Sequence, residues 1–334
     1  MKQWTLLALA CCSAVSMADV EVQPYIVNGT SASVDTFPSM ASLFIDAREF
    51  TGNESDYWSY CGATVLAPQY ILTAAHCVYG DDTSGKRSKL FTVVVPKLQK
   101  EDDFPNGNIQ SARVSEIFYR SDYKHGAENL WRNDIAILKL DSALNIDSIN
   151  GIAEFADNEN YRTVANSFVA VGHGNTKTGV DSSKNLLKTE LKYVVNSTCA
   201  NVFLAGSSLT EKQICFDGDF SALTGLSNAT CQGDSGGPVY WNDGGTYKQV
   251  GLTSFGPTTC GDPTANVTSV FTEITDYKGW INSVVSGNET PKFVATDAKR
   301  QAFFDSSSGG GGGSLPLWSV FALGFIGLFR KQQR

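Results

Sequence analysis

Between Ile26 and Ser286 the apolar residues come in short runs rich in Val, Ile, Phe, Tyr and Thr, at Tyr70–Thr73 and over residues 90–95, 135–140, 168–171, 239–241 and 250–253. Clusters of Gly, Asp, Asn and Ser separate them, at residues 80–85, 102–108 and 242–245. Runs this short, punctuated this regularly, predict strands joined by turns, and therefore an all-β barrel or sandwich assembly. One stretch over residues 276–285 carries a helical pattern and closes the domain. The wealth of Gly, Ser, Thr, Val and Asn excludes a helical bundle.

The two ends break this pattern. A short positive start is followed by a mostly apolar run over residues 5–15 and a small-residue site at Ser16-Met17-Ala18. That is the layout of a secretory signal peptide over residues 1–18, and the run is too short to span a bilayer. Residues 26–286 form the folded domain. After Asn288 the alternation fades toward five consecutive glycines, Gly309 to Gly313, so residues 287–314 read as a flexible linker. Residues 315–334 combine an apolar run with Arg330, Lys331 and Arg334, as in a membrane-inserted tail oriented by its positive end. Glycines, apolar segment and basic end together resemble the GlyGly-CTERM sorting tails of Gram-negative bacteria. This resemblance implies the secretion machinery and a rhomboid-type tail-processing protease as partners. The protein is expected to be secreted or held at the cell surface, touching membrane only through this tail.

Composition narrows the function. With 18% charged residues and a net charge of −8, the chain lacks the clustered Lys and Arg that nucleic acid demands, so no nucleic-acid partner is expected. Eight cysteines fall to six once the signal is removed, an even number in a secreted context, which predicts a disulfide framework of open connectivity. No Cys/His cluster has zinc-ligand spacing, and neither metal nor cofactor is expected. The acidic turns Asp81-Asp82 and Glu101 to Asp103 read as solvated surface before a calcium loop. Six Asn-x-Ser/Thr sequons, at Asn28, Asn53, Asn196, Asn228, Asn266 and Asn288, are discounted as glycosylation sites because the tail points to a bacterium.

Three local signals carry chemistry. Gly233-Asp234-Ser235-Gly236-Gly237-Pro238 sets a serine among glycines, where backbone N–H groups can approach a reacting carbonyl. Thr73-Ala74-Ala75-His76-Cys77 supplies a histidine after a strand, and Asn133-Asp134-Ile135-Ala136 an aspartate at the head of another. A serine hydroxyl is a poor nucleophile until a base takes its proton. A histidine base in turn needs a carboxylate to fix its tautomer and stabilise its charge.

In this order the motifs resemble those of the chymotrypsin-family (trypsin-like) serine proteases. The likeness runs from Ile26-Val27-Asn28-Gly29 through Cys61-Gly62 and Thr253-Ser254-Phe255-Gly256 to Lys278-Gly279-Trp280-Ile281. It implies two antiparallel six-stranded β-barrels with a C-terminal helix and a cleft between them. It implies Ser235 as nucleophile, His76 as base then acid, Asp134 as its orienter, and the N–H groups of Gly233 and Ser235 as the oxyanion hole. It also implies disulfides Cys61–Cys77, Cys199–Cys215 and Cys231–Cys260, and an edge at Ser254, Phe255 and Gly256 that pairs with the backbone of a protein or peptide substrate. It implies as well that residues 19–25 are a short propeptide, after whose cleavage the new amino group of Ile26 would pair with Asp234.

The sequence departs from its relatives at informative places. Pro24-Tyr25 precedes Ile26 where relatives often carry Arg or Lys, and His173 stands where tryptophan is common, there read as a structural residue. At the base of the specificity pocket, where trypsin-like enzymes keep an aspartate, stands Ala229, followed by Thr230, with Ser269 narrowing the base. A cationic side chain would be buried unpaired there, so cleavage after an uncharged aromatic or aliphatic residue is expected, and Tyr25 becomes a candidate self-cleavage site. The alternatives are Arg/Lys specificity, or a silent protease-like binding module at the envelope.

Overall fold

The computed structural model describes residues 26–147, 151–181 and 183–307. Its strands are β1 (Thr30–Ser31), β2 (Met40–Asp46), β3 (Tyr57–Ala67), β4 (Tyr70–Thr73), β5 (Thr92–Pro96), β6 (Ala112–Tyr119), β7 (Ala136–Leu140) and β8 (Phe168–Gly172). There follow β9 (Leu187–Val194), β10 (Gln213–Asp217), β11 (Phe220–Ser221), β12 (Leu226–Ser227), β13 (Pro238–Asp243), β14 (Thr246–Phe255), β15 (Ser269–Glu273) and β16 (Phe293–Val294). The α-helices are α1 (Arg48–Thr51), α2 (Thr83–Phe91), α3 (Asn196–Ala200), α4 (Lys278–Val285) and α5 (Asp297–Ser307).

Strands β2 to β7 run in the order β6-β5-β2-β3-β4-β7 and close on themselves where β6 pairs with β7. Strands β9-β10-β15-β14-β13-β8 close in the same way through β8 and β9. Both are antiparallel six-stranded barrels, which removes exposed sheet edges. Each carries one short extra strand, β16 on β6 and β1 on β9. Alternation is clean where one face meets solvent: in β9 every second residue from Leu187 to Tyr193 is buried and the residues between are not. In the central strand β2 all seven residues are buried.

Leu43, Val65, Ile71, Val94 and Leu138 fill the first barrel, and Phe168, Leu191, Phe216, Val250 and Phe271 the second. Helix α4 sets Ile281 and Val284 against Leu72 and Ile137 of the first barrel and Leu252 of the second, pinning the two together.

Two expectations are corrected. Residues 90–91 do not begin a strand: Asp82 accepts the Gly85 N–H at 2.9 Å and so caps a helix, α2, that runs to Phe91 before β5 starts. Nor are residues 287–307 a flexible linker, because they return to the first barrel as β16 and α5, with the Arg300 guanidinium buried beneath them. The glycine run and the expected membrane tail lie outside the described residues, as do the signal peptide and propeptide. Among the described residues no helix is long and apolar enough to cross a membrane.

Candidate active site

The site forms where loops of both barrels meet. After β4 the chain turns through a 3₁₀ segment, Ala75–Val78, whose Ala75, Cys77 and Val78 are buried and hold the partly exposed His76 at the cleft. The Cys61–Cys77 disulfide ties this turn to β3. Asn133, in the left-handed region at φ 60°, precedes Asp134 and is held by the Tyr277 hydroxyl, which donates to Asn133 Oδ1 at 2.8 Å.

The Asp134 carboxylate is fully buried and meets three donors. The His76 backbone N–H donates to Oδ1 at 2.8 Å, His76 Nδ1 to Oδ2 at 2.7 Å, and the Ser254 hydroxyl to Oδ2 at 2.6 Å. These bonds fix the imidazole tautomer with its proton on Nδ1, leaving Nε2 as the basic nitrogen. Burial disfavours the imidazolium, but the charge and hydrogen bond of Asp134 outweigh it, and the His76 pKa is raised.

Ser235 lines the same cleft as His76, together with Gly233. Its loop is clamped between the barrels: Gly62 N–H donates to the Ser235 carbonyl at 2.7 Å, and Gly236 N–H to the Thr253 carbonyl at 2.8 Å. Gly236 has φ 75°, and a Cβ there would strike Thr73 Oγ1 and lie 2.7 Å from the Gly62 carbonyl, so only glycine fits. Among the described residues, no acceptor is bonded to the N–H of Gly233 or of Ser235. Two free donors beside a candidate nucleophile are the makings of an oxyanion hole.

Asp234 turns the other way, into the second barrel, where Gly174 N–H and Cys231 N–H each donate to its carboxylate at 2.9 Å. Burial pushes its pKa up to about 7. Ile26 is wholly buried, yet among the described residues no ion pair joins it to Asp234. With Tyr25 joined to it, the Ile26 nitrogen is an uncharged amide, and the pair implied by resemblance is absent from this chain.

The expected pocket residues are gathered. Ala229 is buried in an apolar cluster with Val27 and the Cys231–Cys260 disulfide. Thr230 and Ser269 join their hydroxyls at 3.0 Å, and Thr230 N–H also donates to Ser269 Oγ. Phe255 stacks on Trp131 with centroids 5.4 Å apart and meets the edge of Phe203 at 5.3 Å. With Gly256 and Leu130 they line an apolar trough of about 780 Å³. The remaining disulfide, Cys199–Cys215, matches the pairing implied by resemblance, as do the other two.

Sequence reasoning missed one contact and two residues here. Ser254, expected at the substrate-pairing edge through its backbone, also gives its hydroxyl to Asp134. Trp131 had no signal, since its partner Phe255 is far away in the chain. Gly174 had one: glycines on both sides of His173 leave room for the Asp234 carboxylate. The acidic turns are internally partnered, with Asp81 on Lys89 at 2.6 Å and Glu101 on Lys184 at 3.4 Å.

A sequence profile of the family described as Trypsin matches residues 26–281. The chain is 28% identical over 268 residues to chymotrypsin-like elastase family member 1 of Canis lupus familiaris, covering 80% of this chain and 95% of that protein. It is 28% identical over 258 residues to trypsin-1 of Astacus astacus, covering 77% and 99%. It is 29% identical over 269 residues to the CLIP domain-containing serine protease B4 of Anopheles gambiae, covering 78% and 71%. In three dimensions it resembles neuropsin, a serine protease of mouse brain, at a TM-score of 0.60 and 22% identity over 78% of this chain and 99% of that one.

Proposed function

Since the chain belongs to the trypsin family of serine proteases and is a serine endopeptidase, we propose that Ser235, His76 and Asp134 are the triad with which it cuts. The observation that carries the reading is the bond of buried Asp134 to His76 at 2.7 Å, on a cleft that also holds Ser235 and two N–H groups unbonded among the described residues. Ser235 Oγ attacks the scissile carbonyl carbon as His76 Nε2 takes its proton. The resulting oxyanion is received by the Gly233 and Ser235 N–H groups. His76 then protonates the departing amine, leaving an acyl-enzyme that water, activated by the same base, hydrolyses. Removing one oxyanion donor typically costs about 10²- to 10³-fold in rate.

The pocket reading rests on Ala229, Thr230 and Ser269. A methyl group and two mutually bonded hydroxyls offer no countercharge, so a neutral aromatic or aliphatic side chain binds before the scissile bond. The trough of Trp131, Phe255 and Phe203 takes an apolar side chain farther back. Activation follows cleavage at Tyr25, which frees the Ile26 amine to neutralise Asp234; neither charge is tolerated alone in the interior. The signal-like start and the disulfide framework support secretion, with the C-terminal tail as the attachment or sorting element.

A mixed peptide library cleaved by the enzyme starting at Ile26, with Ser235→Ala as control, tests this. Cutting after Tyr, Phe or Leu that vanishes in the control is expected. Cutting after Arg or Lys would overturn the pocket assignment, and activity surviving in Ser235→Ala would overturn the triad.

A further inference from the structure

The segment after α4 was expected to be linker, and its placement raises a question of purpose. It ends against α2, and α2 walls one half of the active cleft. That half, about 640 Å³, is lined by His76, Ser235, Trp58, Tyr79 and the stretch of chain from Gly80 to Ser88. The other half is the trough beside Gly256. If the Ser254–Gly256 edge takes the substrate before the scissile bond, the chain beyond that bond passes Ser235 into the half walled by α2. This step rests on the triad reading above.

The support is built residue by residue. Arg300 of α5 is buried, donating through Nε to the Leu90 carbonyl at 2.7 Å and through Nη2 to the Val114 carbonyl at 2.9 Å. Leu90 lies in the last turn of α2, whose carbonyls have no partner within the helix, so Arg300 closes that end with a charge of favourable sign. Phe303 and Phe304 meet Phe91 at 5.5 and 5.2 Å. Phe304 also lies 5.9 Å from the Arg87 guanidinium, which sits 4.9 Å over the Trp58 ring and pairs with Asp56. A continuous stack therefore runs from α5 through Arg87 to Trp58 in the wall of the cleft. Strand β16 anchors the segment, pairing Phe293 with Ile117 and Val294 with Glu116.

We propose that β16 and α5 are a positioning element for the leaving-group half of the cleft: by holding α2, Arg87 and Trp58 they shape the site that binds substrate residues after the scissile bond. The chemistry at Ser235 does not depend on them; recognition of extended polypeptide substrates does.

The test uses the active enzyme produced from the full chain and two substrates sharing one sequence before the scissile bond. One ends in a small fluorogenic amide; the other continues for four residues and is internally quenched. Phe304→Ala is expected to raise KM for the extended substrate by about fivefold or more, with kcat/KM for the short one unchanged within about twofold. Phe304→Tyr, which keeps the ring, restores the extended KM. Thermal melting of each variant checks that the barrels remain folded. Parallel losses on both substrates would overturn the proposal, since they mark general destabilisation, and so would no change on either. Unmodified enzyme inert toward both would instead bring down the triad reading, and this proposal with it.

Discussion

Ser254→Ala isolates the third donor to the Asp134 carboxylate. Ser254 Oγ donates to Asp134 Oδ2 at 2.6 Å, and both groups are buried, so water cannot easily replace the lost hydroxyl. A hydrogen bond to a charged group contributes about 1.5–3 kcal/mol, and in a chain of this size that corresponds to a fall in Tm of about 5 °C. The remaining donors to the Asp134 carboxylate both belong to His76. Without the Ser254 donor the carboxylate turns its charge wholly on His76 and holds the imidazolium more tightly, so the His76 pKa rises further. In the proposed triad His76 must be neutral to act as base, so the acid limb of kcat/KM moves to higher pH. The assay is a pH profile of kcat/KM on the short fluorogenic substrate, paired with thermal melting. A Tm within about 1 °C of the unmodified protein and an acid limb that stays in place or moves to lower pH would refute the reasoning.

Two further predictions follow from buried groups near the barrel junction. Burial pushes the His173 pKa down to about 4, only partly opposed by the backbone of Gln99 and Leu98, and its Nδ1 faces Ser42 Oγ at 3.2 Å. The folded state therefore resists a proton that the unfolded chain accepts below about pH 6.5, and stability is lost as pH falls from there toward 4, by about 3 kcal/mol in all. His173→Gln should flatten that part of the stability profile in denaturant titrations, and an unchanged slope would assign it elsewhere. Gly174→Ala places a methyl group inside the space of the Asp234 carboxylate and disturbs the N–H that binds it. Overpacking of this kind costs about 1–3 kcal/mol, and since Asp234 precedes Ser235, kcat should fall as well. Melting and single-turnover kinetics check both, and a fully active, equally stable variant would contradict the close approach.

What the chain determined by itself was whatever its backbone must do locally. Alternation predicted strands because side chains on successive residues face opposite sides. The glycines around Ser235 announced a loop that brings N–H groups to a point, and the His76, Asp134 and Ser235 motifs implied the two-barrel fold through their resemblance to a known family. The tertiary structure decided the rest, through contacts between residues remote in sequence. Ser254 reaches Asp134 across 120 residues, and Arg300 reaches Leu90 across 210. Read alone, residues 287–307 are too polar and aperiodic to claim a core. Their four anchors, Phe293, Arg300, Phe303 and Phe304, acquire partners only when the closed first barrel presents β6 and α2 side by side. The same holds for Asp234, whose pKa is pushed up to about 7 because the folded second barrel buries it. Local patterning thus specified strands, turns and motifs, whereas burial, which depends on where distant segments come to rest, decided which polar groups are paired and which surfaces support the cleft.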